Sequence, residues 1–389
     1  MIKLDPSKYK TSKFGDMAFN ISERVKPSDT DLDIYVGLEH LDPECIHIRR
    51  SGIPSDVKGI KLRVYPGDII FGKRRAYQRK AGLVDFDGIC SAHAMVVRVN
   101  PKVILPGLFP FFMHSDLFMY RAVDISEGSL SPTIKWKIIA EEEFKLPPLD
   151  EQKRLADLLW SVDEVNQKYC AILNSLRKVK QAIIDNDLFK TKESNFKLRE
   201  VGDVIRGVSF KPADKVYSKE IQKIVILRAN NIRDNSINYN DIIYVKSEKV
   251  KEKQILKQRD FAICMSNGSK MLLGKAAEYQ INVEDAVAVG AFCSIYRLSR
   301  SKELFDLVKY FFQSALYRRQ VGLLLSGSNI NNLKKSDILD LSIPNKTGKN
   351  NSIKKLIKID EHESQLILQI EKIRAIKKQI INQIFGGKP

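Results

Sequence analysis

Two long stretches of the chain place apolar residues at alternating steps of three and four. In the first, Leu155, Leu158, Val162, Val165, Tyr169, Ile172, Leu176, Val179 and Ile183 keep that spacing over about four heptads. In the second, Leu356, Ile359, Leu366, Ile370, Ile373, Ile376, Ile380 and Ile384 do so less regularly, with His362 and Gln369 interrupting. Each stretch predicts a long helix with a coiled-coil seam. Pro147 and Pro148 mark the start of the first, because proline ends a preceding strand and is tolerated where a helix needs no N–H donor. Asp150 and Glu151 then suit the positive helix N-terminus.

The two stretches are copies. Val162-Asp163-Glu164 stands 197 residues before Ile359-Asp360-Glu361, and the same offset relates Pro147 to Pro344, Leu176-Arg177 to Ile373-Arg374, and Val179-Lys180 to Ile376-Lys377. Weaker matches lie upstream, between "FGDMAFNISERVKP" and "VGDVIRGVSFKPAD" and between "EGSLSPTIKWKII" and "SGSNINNLKKSDI". The chain therefore reads as module, helix, module, helix, a duplication of one large unit. Two apolar stripes of this length cannot both face water. Related by a pseudo-twofold, the helices would pair antiparallel as a rod of about 60 Å, with a module at each end.

Between the helices the pattern shortens. "LRVYPGDIIFGKRR" and "AHAMVVRVN" predict strands in the first module, as do "IQKIVILRANNI", "RDFAICMSNGS" and "AFCSIYRLS" in the second. A helical stretch follows in each: "LFPFFMHSDLFMYRAVD" and "KELFDLVKYFFQSALYRRQVGLLL". Their aromatics, Phe111, Phe112, Phe118 and Tyr120, then Phe305, Tyr310, Phe311 and Phe312, are expected in the core. The predicted fold is α+β, with two similar globular α/β modules and two long helices. Its boundaries are 1–146, 147–192, 193–343 and 344–389.

Charge adds a partner. The net charge of +18 favours a polyanion, usually nucleic acid. The predicted loops supply candidate contacts. "FGKRRAYQRKAG" offers Lys73, Arg74, Arg75, Arg79 and Lys80 for phosphates, with Tyr77 between them. "LRANNIRDN" offers Arg228, Asn230, Asn231 and Arg233, since Arg and Asn suit guanine and adenine edges. "MSNGSK" and "SGSNINN" add Asn267, Lys270, Ser328 and Asn329. The plain alternative for each is ordinary turn chemistry or a solvated loop.

Catalytic motifs are missing. There is neither a glycine-rich cofactor loop nor the Asn/Asp-Pro-Pro-aromatic tetrapeptide of a DNA methyltransferase. "GSKMLLGKA" misspaces a phosphate loop, and Ala276 stands where Ser or Thr must hold magnesium. Glu143-Phe144-Lys145 has no upstream Pro-Asp to complete a nuclease motif. His40, Cys45 and His47 are close in sequence, but ordinary packing is the expected role; no metal site is expected. The scattered cysteines make no disulfide framework. No apolar run approaches the ~20 residues of a membrane span, so a cytoplasmic protein is expected.

With the duplication in hand, "PPLDEQKRLADLL" resembles the specificity subunits of type I restriction–modification systems. Their hallmark is a proline-rich turn, then Glu-Gln-Lys/Arg and an apolar helix. Pro147, Pro148, Leu149, Glu151, Gln152 and Lys153 match it, whereas the second copy keeps Pro344 and replaces the rest by "NKTGKNNSI". The resemblance implies two target recognition domains, each reading one half of a bipartite, asymmetric site in double-stranded DNA. It implies helices that space the half-sites and receive partners, through Pro147, Pro148, Glu151, Gln152, Leu155, Leu158, Val162, Ile359, Leu366 and Ile373. It implies two methyltransferase subunits carrying S-adenosylmethionine, and restriction subunits using ATP and magnesium. The chain itself would be non-catalytic and bind no cofactor. The alternatives are the DNA-recognition subunit of a type II system, or a coiled-coil scaffold that binds only protein.

Overall fold

The computed structural model describes residues 4–190, 195–217, 222–281, 283–299, 304–326, 331–344 and 350–386. The chain forms two compact units. One comprises residues 1–171 and 366–389, the other residues 172–365.

In chain order, the first unit holds β1 (Lys10–Lys13), β2 (Ala18–Ile21), β3 (Ile69–Phe71), β4 (Ala81–Leu83), β5 (Met95–Val99), α1 (Phe109–Met113), α2 (Asp116–Asp124) and β6 (Glu143–Leu146), then enters the long helix α3 (Leu149–Ala182). The second holds β7 (Asn195–Lys197), β8 (Gly202–Arg206), β9 (Phe261–Cys264), β10 (Ala276–Glu278), β11 (Cys293–Leu298), α4 (Phe305–Gln313), α5 (Ala315–Ser326) and β12 (Ser342–Pro344), then α6 (Asn350–Phe385). The strand orders match: β2-β5-β3-β4 in one unit and β8-β11-β9-β10 in the other, antiparallel throughout. In each, the first strand closes on the last, β1 on β6 and β7 on β12. A second sheet in each contains one parallel pair, Tyr35–Val36 with Gly88–Ser91 and Lys223–Leu227 with Val287–Val289.

The expected core aromatics are buried, with one exception. Phe111, Phe112 and Phe118 are inaccessible, as are Tyr310 and Phe311, with Phe305 and Phe312 nearly so. Tyr120 is exposed instead, two residues and so about 200° further round α2 than Phe118. Both helical stretches break in two at a serine. Ser115 accepts the Phe118 N–H, and Ser314 accepts that of Tyr317, so each restarts the chain as a capped helix. A second cap comes from the far end of a long-helix copy. Asn382 Oδ1 accepts from the Asp116 N–H at 3.1 Å, and Asp185 Oδ1 accepts from the Ala315 N–H at 2.8 Å. Asp185 and Asn382 are themselves 197 residues apart.

Residues 149–171 of α3 and 366–385 of α6 lie in the first unit, and 172–182 and 350–365 in the second. Within each unit the two helices run antiparallel. Lys377 Nζ donates to Asp163 Oδ1 at 2.8 Å in the first, and Lys180 Nζ reaches Asp360 Oδ1 at 2.6 Å in the second. These are one pair used twice with its members exchanged, as two copies of a segment produce when they pair antiparallel. Each aspartate also binds its own module. His47 Nε2 donates to Asp163 Oδ2 at 2.5 Å; Lys309 Nζ and the Tyr310 hydroxyl reach Asp360 Oδ2 at 2.8 and 3.0 Å.

The seam is not the one the apolar spacing predicts. Leu155 is buried, but beyond it the buried positions shift by one residue, to Leu159, Asp163, Asn166 and Leu173, with Ile184 following. Val165, Ile172 and Val179 are about half exposed, and so is Ile376. His362 is exposed at the repeat position of Val165. A one-residue shift turns a helix by about 100°. The ion pairs and module contacts at Asp163 and Asp360 fix that rotation against the apolar count. Val162, Ile359, Leu366 and Ile373 are left half-buried beside the seam, as is Leu158.

Gln152 is part of the interior, not a surface for partners. It accepts from the Leu105 N–H and donates to the carbonyls of Val103 and Pro147. This lock, beside buried Pro147 and half-buried Pro148 and Glu151, sets where α3 leaves the module.

Burial alone would raise the Asp163 pKa, but hydrogen bonds from His47 and Lys377 and the Lys377 charge outweigh it and hold the value at about 2. An unfolded aspartate titrates near 3.9. Its contribution, about 2 kcal/mol, is therefore complete above pH ~4 and lost as pH falls toward 2. In urea melts from pH 6 to 2, Asp163→Asn should remove about that much of the acid-induced loss seen in the parent chain. Parallel pH curves for the two proteins would contradict the assignment.

Candidate nucleic-acid interface

The basic loop of the first unit joins β3 to β4. The Gly72 N–H donates to Lys80 O at its base, and Ala76 is buried beneath it. Arg75 and Arg79 both adopt left-handed backbone, φ 54° and 52°, around a short turn at Ala76–Gln78. Such a conformation costs a non-glycine residue roughly 1–3 kcal/mol and needs outside support. Arg79 supplies it. Its guanidinium pairs with Glu44 at 2.9 Å and with nearly inaccessible Asp116, and lies over the Tyr120 ring. This explains why Tyr120 faces outward. Lys80 Nζ donates to Leu38 O at 2.7 Å. Arg79 and Lys80, both expected on phosphates, are thus bound internally and build the loop.

What the loop presents is Lys73, Arg74, Arg75 and Tyr77. Arg75 and Tyr77 are exposed; Lys73 and Arg74 are half-buried. The loop rests on the segment after α2, with the Arg75 N–H donating to Pro132 O and the Ile134 N–H donating to Lys73 O. At the tip of that segment Leu130 is almost fully exposed, at 92%. Arg74 Nη1 lies 3.3 Å from His93 Nδ1. Burial, then the charges of Arg74, Lys73 and Lys61, push the His93 pKa down. Burial, more than the neighbouring Arg74 charge, lowers that of Lys73. Cations crowded this way bind an anion readily, because it relieves their repulsion.

The second unit repeats the architecture with other side chains. The loop from β9 to β10 meets the segment before the short helix Lys335–Leu339, through a bridge between Ser266 and Asn332 that corresponds to Arg74 and Thr133 in the first unit. Gly274, at φ +71°, closes the loop, with its carbonyl accepting from the buried Tyr317 hydroxyl. Asn267 accepts the Ser269 N–H and is half-buried, while Lys270 and Met271 stand exposed. Ser328 and Asn329 lie outside the described residues.

The Arg228–Arg233 stretch is mostly self-contained. Asn231 is inaccessible; its amide donates to the carbonyls of Asn238 and Asn240, and its oxygen accepts the Arg228 N–H. Arg228 and Asn230 both bond Asp241. These three, expected at base edges, hold the loop shape. Arg233 is exposed, its Nε donating to Asn230 O.

The larger basic feature of this unit escapes the sequence reading. A groove of about 730 Å³ is lined by Arg206, Lys251, Lys253, Lys334 and Lys335, with Asn332 and Ser294. Lys335 pairs with Asp203 at 2.6 Å. The other four have no carboxylate partner among the described residues. They come from three segments far apart in the chain, so no local run of charge announces them. Among the described residues no group of three or more His, Cys, Asp or Glu side chains is placed to hold a metal, and no helix is long and apolar enough to cross a membrane. His40 accepts the Gly37 N–H, and the Cys45 thiol bonds His47 O, which accounts for that cluster.

No family model matches the chain. By sequence it is similar to the type I restriction enzyme EcoKI specificity subunit of Escherichia coli (strain K12), at 30% identity over 48% of this chain and 40% of that protein. The chain thus spans about two fifths of that relative. It is also similar to the type I restriction enzyme MjaVIII specificity subunit of Methanocaldococcus jannaschii, at 23% identity over 70% of each. In fold it matches the crystal structure of a type I restriction–modification S subunit from M. genitalium, with a TM-score of 0.54 over essentially both chains, at 12% identity. The resemblance found in the helix start is therefore present in both sequence and fold.

Arg79 gives a sharp test of the division between scaffold and surface. Breaking its pairing with Asp116 should destabilise the first unit by about 3 kcal/mol in Arg79→Ala, read by denaturant melts. Arg75→Ala, one turn away and exposed, should change stability by less than about 0.5 kcal/mol.

Proposed function

We propose that this chain is the DNA-reading subunit of a type I restriction–modification complex. One observation carries the reading. The same four-stranded sheet occurs twice and holds a loop at the same place each time, yet the loops differ in chemistry. One presents Lys73, Arg74, Arg75 and Tyr77, and the other presents Asn267, Lys270 and Met271 beside the Arg206–Lys335 groove. Identical scaffolds with unlike loops suit a bipartite, asymmetric target in double-stranded DNA. The lysines and arginines grip phosphates, and a few loop side chains read bases. The two helices set the spacing between half-sites.

On this reading the chain does no chemistry. Two methyltransferase subunits bring S-adenosylmethionine and flip out the adenine they modify. Restriction subunits bring ATP and magnesium. They meet this chain on its helices and modules, where the outward row of Val165, Ile172 and Val179 supplies apolar surface. Similarity to specificity subunits supports the assignment of those partners.

Methylation mapping of the source genome, with and without this gene, tests the whole reading. Loss of one split, asymmetric methyladenine motif is the expected result. With purified chain and partner methyltransferase, Lys73, Arg74 and Arg75 all changed to Ala should weaken binding to all DNA sequences and flatten the salt dependence. Each lost phosphate contact removes about 0.9 from the slope of log K against log salt, so a drop of roughly two to three is expected. Unchanged affinity and slope would favour a protein-binding scaffold.

A further inference from the structure

The duplication exposes a mismatch between its two copies. In the second unit Glu363 accepts from Arg177 Nε at 2.6 Å and from Lys180 Nζ at 3.2 Å. With Asp360, the four residues balance to zero charge. The same positions in the first unit, 197 residues away in each case, are Asn166, Arg374, Lys377 and Asp163. The glutamate has become an asparagine. Three of the four charges remain, so the set carries one net positive charge.

The consequences are visible locally. Asn166 is only 5% exposed, and its Oδ1 has no hydrogen-bond partner among the described residues. A buried acceptor left without a donor has lost its water without gaining a partner. Among the described residues Arg374 has its hydrogen bond to the Cys170 sulfur, at 3.9 Å, and Arg49 donates to the neutral Gln167. Asn166, Arg374, Arg49 and Gln167 all line one cavity of about 430 Å³, within the usual size of a small-molecule site. Of its five Lys or Arg residues, Arg79 and Lys378 are matched by Glu44 and Asp116 and Lys377 by Asp163, whereas Arg49 and Arg374 have no carboxylate partner among the described residues.

We propose that this cavity binds a phosphate that keeps one proton: hydrogenphosphate, or a small phosphomonoester in its monoanionic form. The anion takes the charge role that Glu363 fills in the other unit, against Arg374 and Arg49. Its P–O–H donates to Asn166 Oδ1. Sulfate and carboxylates at neutral pH have no such proton, and neither does a phosphodiester of DNA. A buried acceptor among cations is therefore a selectivity device for a protonated oxyanion. The site does not depend on the DNA-reading proposal; of the recognition loops it touches only Arg79, the residue that anchors the first loop from inside.

The test is calorimetric titration of the full chain at pH 7 and fixed ionic strength, with inorganic phosphate, sulfate and dimethyl phosphate. Phosphate should bind at least tenfold more tightly than either of the others. Adenosine monophosphate against inorganic phosphate then separates a nucleotide from the free ion as the preferred member of the class. Asn166→Glu restores the carboxylate of the other copy and should abolish phosphate binding while leaving the melting temperature in phosphate-free buffer equal or higher. Arg374→Gln, which keeps the helix surface polar, should weaken phosphate at least tenfold and serves if the first variant folds poorly. Equal binding of phosphate and sulfate, or phosphate binding unchanged in both variants, would overturn the proposal. So would dimethyl phosphate binding as well as phosphate, which would mark the cavity as a DNA backbone contact.

Discussion

One carboxylate in each unit holds three things together. Asp163 takes a lysine from the facing helix and a histidine from its module; Asp360 takes a lysine from the facing helix and a lysine and tyrosine from its own. Joining helix to helix and helix to module, this contact fixes the helices' rotation, their register and the seating of the module at once. Asp163, nearly inaccessible, is tolerated there only because its charge is matched and both its oxygens are used. The apolar residues around it must follow. That is why Val165, Ile172 and Val179, which heptad counting places in the seam, end on the outside.

Whereas shorter strands such as β1, β4 and β10 were not legible in the sequence, the duplication, the helices, the proline junction and the central strands β3, β5, β9 and β11 were. They rest on repeated spacing and on proline chemistry, which survive without knowledge of contacts. The helix seam was legible only approximately. Counting apolar residues cannot see that Asp163 and Lys377 are drawn inward by each other, because each looks like a surface residue when read alone. The aspartate at the centre of the repeated motif, Val162-Asp163-Glu164, was a usable signal, since it was matched at Asp360.

The loops divide in the same way. Lys73, Arg74, Arg75 and Tyr77 stand at the surface of a basic hairpin as its composition suggests. Arg79 and Lys80, in the same run, face inward because left-handed backbone at residues 75 and 79 reverses the chain between them. Composition gives the charge of such a loop but not which charges are used up inside it. The groove lined by Arg206, Lys251, Lys253 and Lys334 is the opposite case. Its cations are scattered through the sequence, and only the fold makes them neighbours.

The exchanged ion pair has a consequence for inheritance. Each copy of the helix carries both the aspartate and the lysine, so one copy holds a complete code for pairing with another. The loops that distinguish the modules contribute nothing to that code. A module exchanged for another that keeps its contact to the aspartate therefore leaves the helix pairing in place and changes only what sits on it. Helix pairing and loop chemistry are separable traits, and selection can revise one while the other stands still.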